Sequence, residues 1–106
     1  MTAQETLNVR VVKKQAEAEG IASFELARVD GAALPPFSAG SHIDVHLPGG
    51  LTRQYSLCNA SHESHRYRIA VLRDPASRGG SVDMHDSVHE GDVITISTPR
   101  NHFALH

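Results

Sequence analysis

Six short segments of this chain alternate polar with apolar residues, and turn-forming residues separate them. Alternation with a period of two residues is typical of strands that bury one face. The first two segments cover residues 7–12 and 21–29, with a turn predicted at residues 17–20 between them. The other four predicted strands cover residues 42–47, 52–57, 67–72 and 93–97.

One stretch, residues 80–89, departs from this alternation. Val82, His85 and Val88 fit helical spacing, and Ser81 is suited to cap the start of the helix. Six short strands and one helix predict an all-β fold in which a six-stranded antiparallel barrel carries one capping helix. Closure into a barrel is expected because it removes exposed strand edges.

Size and composition restrict the class of protein. A chain of 106 residues forms one domain, and no apolar run approaches the roughly 20 residues that span a bilayer. A net charge of −2 argues against binding to nucleic acid. The single cysteine, Cys58, cannot form an internal disulfide, which favours a reducing cytoplasm. We expect a cytoplasmic monomer that contacts neither nucleic acid nor membrane.

The charge is unevenly distributed along the chain. Residues 53–78 carry five arginines against two acidic residues, although the chain as a whole is negative. A basic segment in a neutral-to-acidic domain suits a small anionic ligand. The alternative interpretation is that these side chains cover strand edges and pair with acids. The arginines are Arg53, Arg66, Arg68, Arg73 and Arg78.

The fourth predicted strand contains the first candidate site. Arg53 and Tyr55 point to one face of the strand, while Gln54 and Ser56 point to the other. An arginine beside an exposed tyrosine suits a ligand that is flat, aromatic and anionic at one end. The alternative is an ordinary barrel strand in which Tyr55 is half-buried.

The second candidate site precedes the predicted helix. Arg78, Gly79, Gly80 and Ser81 combine a bidentate donor, a backbone that a ligand can approach closely, and a hydroxyl. A helix N-terminus adds unpaired N–H groups, so the segment is suited to hold a phosphate. The alternative is a plain flexible turn. Neither a dinucleotide-binding fingerprint nor a Walker loop is present.

Four segments together, residues 53–59, 67–71, 78–81 and 98–103, resemble the flavin domain of the phthalate dioxygenase reductase family. That family includes the reductase components of vanillate demethylases, within the wider ferredoxin-NADP reductase superfamily. The resemblance covers essentially the whole chain. It implies one FMN-binding domain over residues 1–106, built as a six-stranded antiparallel Greek-key barrel with one capping helix.

The resemblance also implies roles for individual residues. Tyr55 would flank the flavin ring and ribityl chain, with Arg53 on the phosphate side, Ser56 near the N5 edge and Gln54 in the same motif. Ala70 and Val71 would contribute backbone contacts to the other side of the ring. The terminal phosphate would lie against Arg78, Gly79, Gly80 and Ser81. FMN is favoured over FAD because no adenine contact is evident after Ser81.

Members of the family continue into a nicotinamide-binding domain and a 2Fe-2S domain that needs four cysteines. We therefore expect the chain to be the N-terminal fragment of a longer reductase. The intact oxidoreductase would pass electrons from NADH through flavin to the iron–sulfur centre, for a terminal Rieske-type oxygenase or demethylase. The fragment alone would bind flavin, have no catalytic side chain and turn over little NADH. The alternative is a non-catalytic barrel that binds a protein partner or another phosphorylated ligand.

Eight histidines invite a metal hypothesis. His42 and His46 share a strand face, and His85 and His89 are one helical turn apart. Because no third ligand is evident for either pair, we expect no metal site. Cys58 could be a nucleophile, but no base lies near it in the sequence, so this interpretation is not favoured.

Overall fold

The computed structural model describes residues 6–47, 49–60, 63–72 and 80–100, with side chains described from Met84 onward in the last range. It contains one helix, α1 (Gly80–Ser87), among these residues. No helix in the described ranges has the length and apolar character needed to cross a bilayer. The strands are β1 (Thr6–Ala18), β2 (Ile21–Arg28), β3 (His42–His46), β4 (Thr52–Ser56), β5 (Tyr67–Leu72) and β6 (Val93–Ser97).

The six predicted strands are confirmed, and the bounds of β5 and β6 match the sequence pattern. The predicted end of β1 is wrong, because that strand continues to Ala18 and leaves only Glu19 and Gly20 for the turn. Irregularities between Val11 and Lys13, and again near the end of the strand, let β1 stay paired with β2. Each extra residue shifts the alternation of polar and apolar residues. The alternation in the sequence therefore ends at residue 12, although the strand continues.

All neighbouring strands are antiparallel, in the order β4-β3-β6-β1-β2-β5. The connections from β2 to β3 and from β5 to β6 reach strands that are not neighbours, as in a Greek key. The predicted six-stranded antiparallel Greek-key fold with one helix is therefore confirmed. The sheet is not closed, however: β4 and β5 are its two edge strands, and within the described ranges one bridge, between Leu57 just after β4 and Ile69 of β5, links the edges.

The core lies inside the curled sheet and under α1. It contains the inward-facing side chains of β5, and Met84 of α1 and Val88, which directly follows the helix, are also fully buried. Tyr67 packs edge-on against Phe37, with ring centroids 5.6 Å apart, and its hydroxyl donates to the Pro35 carbonyl at 2.5 Å. These contacts hold the start of β5 against the segment that contains Pro35 and Phe37.

Candidate functional site

Strand β4 places the first set of predicted site residues on two faces, as the alternation indicates. Arg53 and Tyr55 are partly buried on the inner face, while Gln54 and Ser56 are exposed. Tyr55 packs against the hydrophobic core. The expectation of an exposed tyrosine is therefore wrong, because the curl of the sheet turns the inner face of β4 toward the core.

The polar atoms of Tyr55 and Arg53 form few hydrogen bonds or ion pairs with the described residues. The Tyr55 hydroxyl is buried and has no hydrogen-bond partner within the described part of the chain. Burial raises the pKa of this phenol, and the nearby Arg53 partly offsets that shift. The Arg53 guanidinium donates to the Thr52 carbonyl at 2.9 Å and forms no ion pair with another described residue. The described residues therefore leave the Tyr55 hydroxyl unsatisfied and the Arg53 guanidinium without an acidic partner.

The remaining predicted ring contacts lie on β5, which is the opposite edge of the sheet. Ala70 is exposed and Val71 is buried, so β5 presents alternate side chains inward and outward. Because β4 and β5 are both edge strands, each has a row of backbone N–H and C=O groups on the side without a neighbouring strand. The two predicted ring-binding segments therefore belong to the two unpaired edges of one sheet.

The two edges meet just beyond the end of β4. The Cys58 amide donates to the Arg68 carbonyl at 2.8 Å, next to the bridge between Leu57 and Ile69. Asn59 strengthens this junction: its side-chain amide donates to the Arg66 carbonyl at 2.9 Å and its oxygen accepts from the Arg68 amide at 2.9 Å. The sequence analysis missed Asn59, although an asparagine after a strand is a common turn signal.

The second predicted site is only partly within the described residues. Arg78 and Gly79 lie outside them, and the side chain of Ser81 is also outside the description. The helix begins at Gly80, so Ser81 lies in its first turn instead of capping it from outside. Further along α1, the His85 Nε2–H donates to the Val71 carbonyl at 2.7 Å. Strand β5 therefore contacts both the end of β4 and the helix.

The alternative interpretation of the basic segment is confirmed for two of its arginines. Arg66 pairs with Glu25 at 2.8 Å and with Glu63 at 3.0 Å, and Arg68 pairs with Glu17 at 3.2 Å. These three acids neutralise the outer surface of β5. Among the arginines of this segment that the structure describes, Arg53 is the one that pairs with no acidic side chain.

The last described residue, Arg100, is held against the start of β3. Its backbone exchanges hydrogen bonds of 2.7 and 2.9 Å with His42, and its guanidinium lies 2.6 Å from Asp44. The segment after β6 therefore runs beside β3, which also pairs with β4. The rest of the fourth resembling segment, residues 101–103, lies outside the described residues.

The histidines and Cys58 have separate environments. No group of three or more possible metal ligands occurs among the described residues. His89 lies beyond the end of α1 and faces Asp92 at 3.7 Å, so it does not share a helical turn with His85. Cys58 is exposed, and its thiol donates to the Arg68 carbonyl at 3.3 Å. This contact makes Cys58 part of the junction between β4 and β5.

No established family profile matches the chain. Individual proteins are nevertheless closely similar. The chain is 61% identical over 95 residues to a vanillate O-demethylase oxidoreductase of Pseudomonas putida, covering 90% of this chain and 30% of that protein. It is 48% identical over 99 residues to a phthalate dioxygenase reductase of Burkholderia cepacia, covering 93% of this chain and 31% of that protein.

A solved structure extends this similarity to the fold. The structure of a phthalate dioxygenase reductase, described as modular, superimposes with a TM-score of 0.91 at 48% identity. The match covers 95% of this chain and 32% of the solved one. The chain thus spans about a third of the length of the relatives it matches. Since sequence and fold agree over nearly all of its residues, vanillate O-demethylase oxidoreductase and phthalate dioxygenase reductase are homologues of this chain.

Proposed function

We propose that this chain is the FMN-binding part of an NADH-dependent reductase. In that protein, electrons would pass through the flavin to a 2Fe-2S centre that serves a Rieske-type oxygenase or demethylase. The observation that carries the proposal is the arrangement of β4 and β5. Two of the segments that resemble the flavin-binding motifs lie on the two edge strands of the sheet, and among the described residues these edges meet near Leu57 and Ile69.

The described residues fit a flavin in their chemistry. The buried Tyr55 hydroxyl lacks a protein partner, and Arg53 forms no ion pair among the described residues. A buried polar group without a hydrogen bond costs about 1–3 kcal/mol, so a polar ligand that satisfies it gains affinity. A guanidinium is suited to a phosphate. The edge backbones offer donors and acceptors to a heterocyclic ring.

In this proposal, two groups of residues hold the cofactor. Arg53, Gln54, Tyr55 and Ser56 bind from β4, with Ala70 and Val71 opposite them on β5. The terminal phosphate is held by Arg78, Gly79, Gly80 and Ser81. A flavin, when bound, supplies the ability to accept two electrons together and to release them singly. The protein residues orient it and keep water from the ring.

The names of the relatives support the wider activity that we propose. The solved phthalate dioxygenase reductase is described as transferring electrons from pyridine nucleotides to [2Fe-2S], and the Pseudomonas putida relative is named for vanillate O-demethylation. By analogy, the nicotinamide and iron–sulfur sites belong to parts of the parent protein other than these 106 residues. We propose a reducing cytoplasm as its compartment.

A titration of the purified chain with FMN and riboflavin tests the proposal. We expect visible flavin absorbance to shift on binding, and FMN to bind at least about tenfold more tightly, because only FMN carries a phosphate. Arg78→Ala should remove most of this difference, whereas the control Arg73→Ala should keep it. Equal affinities for FMN and riboflavin in the unaltered chain would contradict the phosphate site, and no binding of either would contradict the proposed function.

The same titration with FAD tests the choice of cofactor. FMN is proposed because the arginine–glycine segment suits a terminal phosphate, and no adenine contact is evident after Ser81. We therefore expect FMN to bind more tightly than FAD. Tighter binding of FAD would leave the flavin site in place and reassign the cofactor.

A further inference from the structure

A bulge in β1 decides which of two adjacent lysines faces the interior. Val11 pairs with Leu26 and Lys13 pairs with Glu25, so Val12 is the additional residue of the bulge. Beyond it, Lys14 lies opposite the fully buried Phe24, with its ammonium 5.5 Å from the centre of that ring. Lys13 is exposed. Bulges commonly redirect side chains in this way.

The ammonium group of Lys14 lies at the C-terminal end of α1. It donates to the carbonyl oxygen of His85 at 2.5 Å and to that of Val88 at 2.7 Å. Carbonyl groups at this end of a helix lack partners within the helix, and the helix dipole places partial negative charge there. The backbone amide of Lys14 also donates to the Glu90 carboxylate at 2.8 Å, which fixes the segment after the helix.

Two other contacts hold the same helix. Met84 of the helix and Val88 just after it are fully buried, and His85 is hydrogen-bonded to the Val71 carbonyl of β5. A helix of this length measures about 12 Å from end to end. Because α1 is a single helix of eight residues, a displacement of its C-terminal end would also displace Gly80 in its first turn.

We propose that Lys14 is a positioning residue for the phosphate-binding segment. It fixes the C-terminal end of α1, and through the helix it sets the place of the N–H groups that receive the phosphate of the cofactor. This inference rests on the proposed function, since it assigns Gly80 and Ser81 to phosphate binding. Lys14 itself contacts no ligand in this scheme, so its effect should be confined to ligands that carry a phosphate.

The test compares Lys14→Met with the matched control Lys13→Met. Both variants lose one positive charge from β1, and only the first loses the contacts to α1. For Lys14→Met we expect FMN affinity to fall by about fivefold or more, in the range of coupling between sites, while riboflavin affinity stays within about twofold. Lys13→Met should keep both affinities. Lys14→Arg, which keeps a cation on a long side chain, should restore most of the preference for FMN.

Several outcomes would overturn the inference. It fails if Lys14→Met keeps the ratio of FMN to riboflavin affinity, or if both ligands weaken equally, since a general loss of structure would do the latter. It also fails if Lys13→Met lowers FMN affinity as much, because the effect would then be one of charge alone. Should Lys14→Met not fold, Lys14→Gln, which loses the charge but keeps a donor, must lower the same ratio.

A measurement without ligand separates this inference from the proposed function. Hydrogen exchange of the α1 amides should be faster in Lys14→Met than in Lys13→Met, because the C-terminal contacts of the helix are lost. If the unaltered chain binds no flavin, the proposed function fails, and so does the role of Lys14 in phosphate binding. Faster exchange of the α1 amides in Lys14→Met would then show only that Lys14 stabilises the helix. If flavin binds and exchange is unchanged, only the role of Lys14 fails.

Discussion

Two tyrosines, Tyr67 in the core and Tyr55 packed against it, differ in the hydrogen bonding of their hydroxyl groups. The Tyr67 hydroxyl donates to the Pro35 carbonyl at 2.5 Å, whereas the buried Tyr55 hydroxyl has no partner among the described residues. Burial raises the pKa of both phenols. The neutral phenol satisfies a carbonyl in one case, and in the other its hydrogen-bonding capacity is not used by the described residues.

Replacement of each tyrosine by phenylalanine should separate these roles. Tyr67→Phe should lower the free energy of unfolding by about 1–2 kcal/mol, because the part-buried Pro35 carbonyl loses its donor. Tyr55→Phe should leave it unchanged or raise it by up to about 1 kcal/mol, since an unsatisfied buried hydroxyl is removed. Urea unfolding of the ligand-free chain measures both. An equal loss in the two variants would mean that the Tyr55 hydroxyl has a partner in the folded chain.

The sequence predicts single residues well where a local motif defines them. The alternation in the sequence of β4 already places Arg53 on the same face as Tyr55, as the structure does. Lys14 and Asn59 were missed because their roles depend on partners far away or on an irregular strand. Lys14 meets Val88 across 74 positions of the chain, and only the bulge at Val12 turns it toward the helix.

At the scale of the element, the hairpin of β1 and β2 turns at Glu19 and Gly20. Gly20 has a φ of 75°, a left-handed conformation that glycine adopts without strain. A Cβ atom built at this position meets no atom within 4 Å. The cost of a side chain at position 20 is therefore set by the backbone and not by packing.

We expect Gly20→Ala to lower the free energy of unfolding by about 1 kcal/mol, from the left-handed backbone alone. Gly20→Asn should cost less, because asparagine tolerates this conformation better than other residues with a side chain. Thermal or urea unfolding of the two variants checks the order. If alanine were as stable as glycine, the turn would have to adopt another conformation in solution.

At the scale of the whole molecule, pairs of opposite charge link distant strands. Glu17, near the end of β1, accepts from the Ser23 hydroxyl of β2 at 2.7 Å and pairs with Arg68 of β5 at 3.2 Å. The Ser23 hydroxyl, followed by Arg68, holds the pKa of Glu17 below its ordinary value of 4.5. Three strands of the sheet are thus joined through one carboxylate.

The Glu17 carboxylate should make the free energy of unfolding fall at acidic pH. Because the pKa of Glu17 is lower in the folded chain, its contribution is complete above its ordinary value of 4.5 and is lost as the pH falls through the lowered pKa. Glu17→Gln should therefore flatten the fall of the unfolding free energy in that acidic range, and Ser23→Ala should flatten it partly. Urea unfolding at a series of pH values measures this, and an unchanged slope in Glu17→Gln would contradict it.

Much of the global arrangement follows from the sequence, because six alternating segments and one helix leave few ways to bury an apolar face. The incomplete closure does not follow from the pattern. Alternation specifies which face of β4 and of β5 is buried, but it carries no information about which backbone edges pair. The meeting of these edges depends on the path of residues 57–59, where Leu57, Cys58 and Asn59 reach the opposite strand.

The junction between the edges of β4 and β5 bears on self-association of the protein. An unpaired edge is a template onto which a strand of another molecule can add. Here two such edges belong to the same opening of one sheet. A flavin bound here as proposed would cover both edges, and it would then also shield them from self-association.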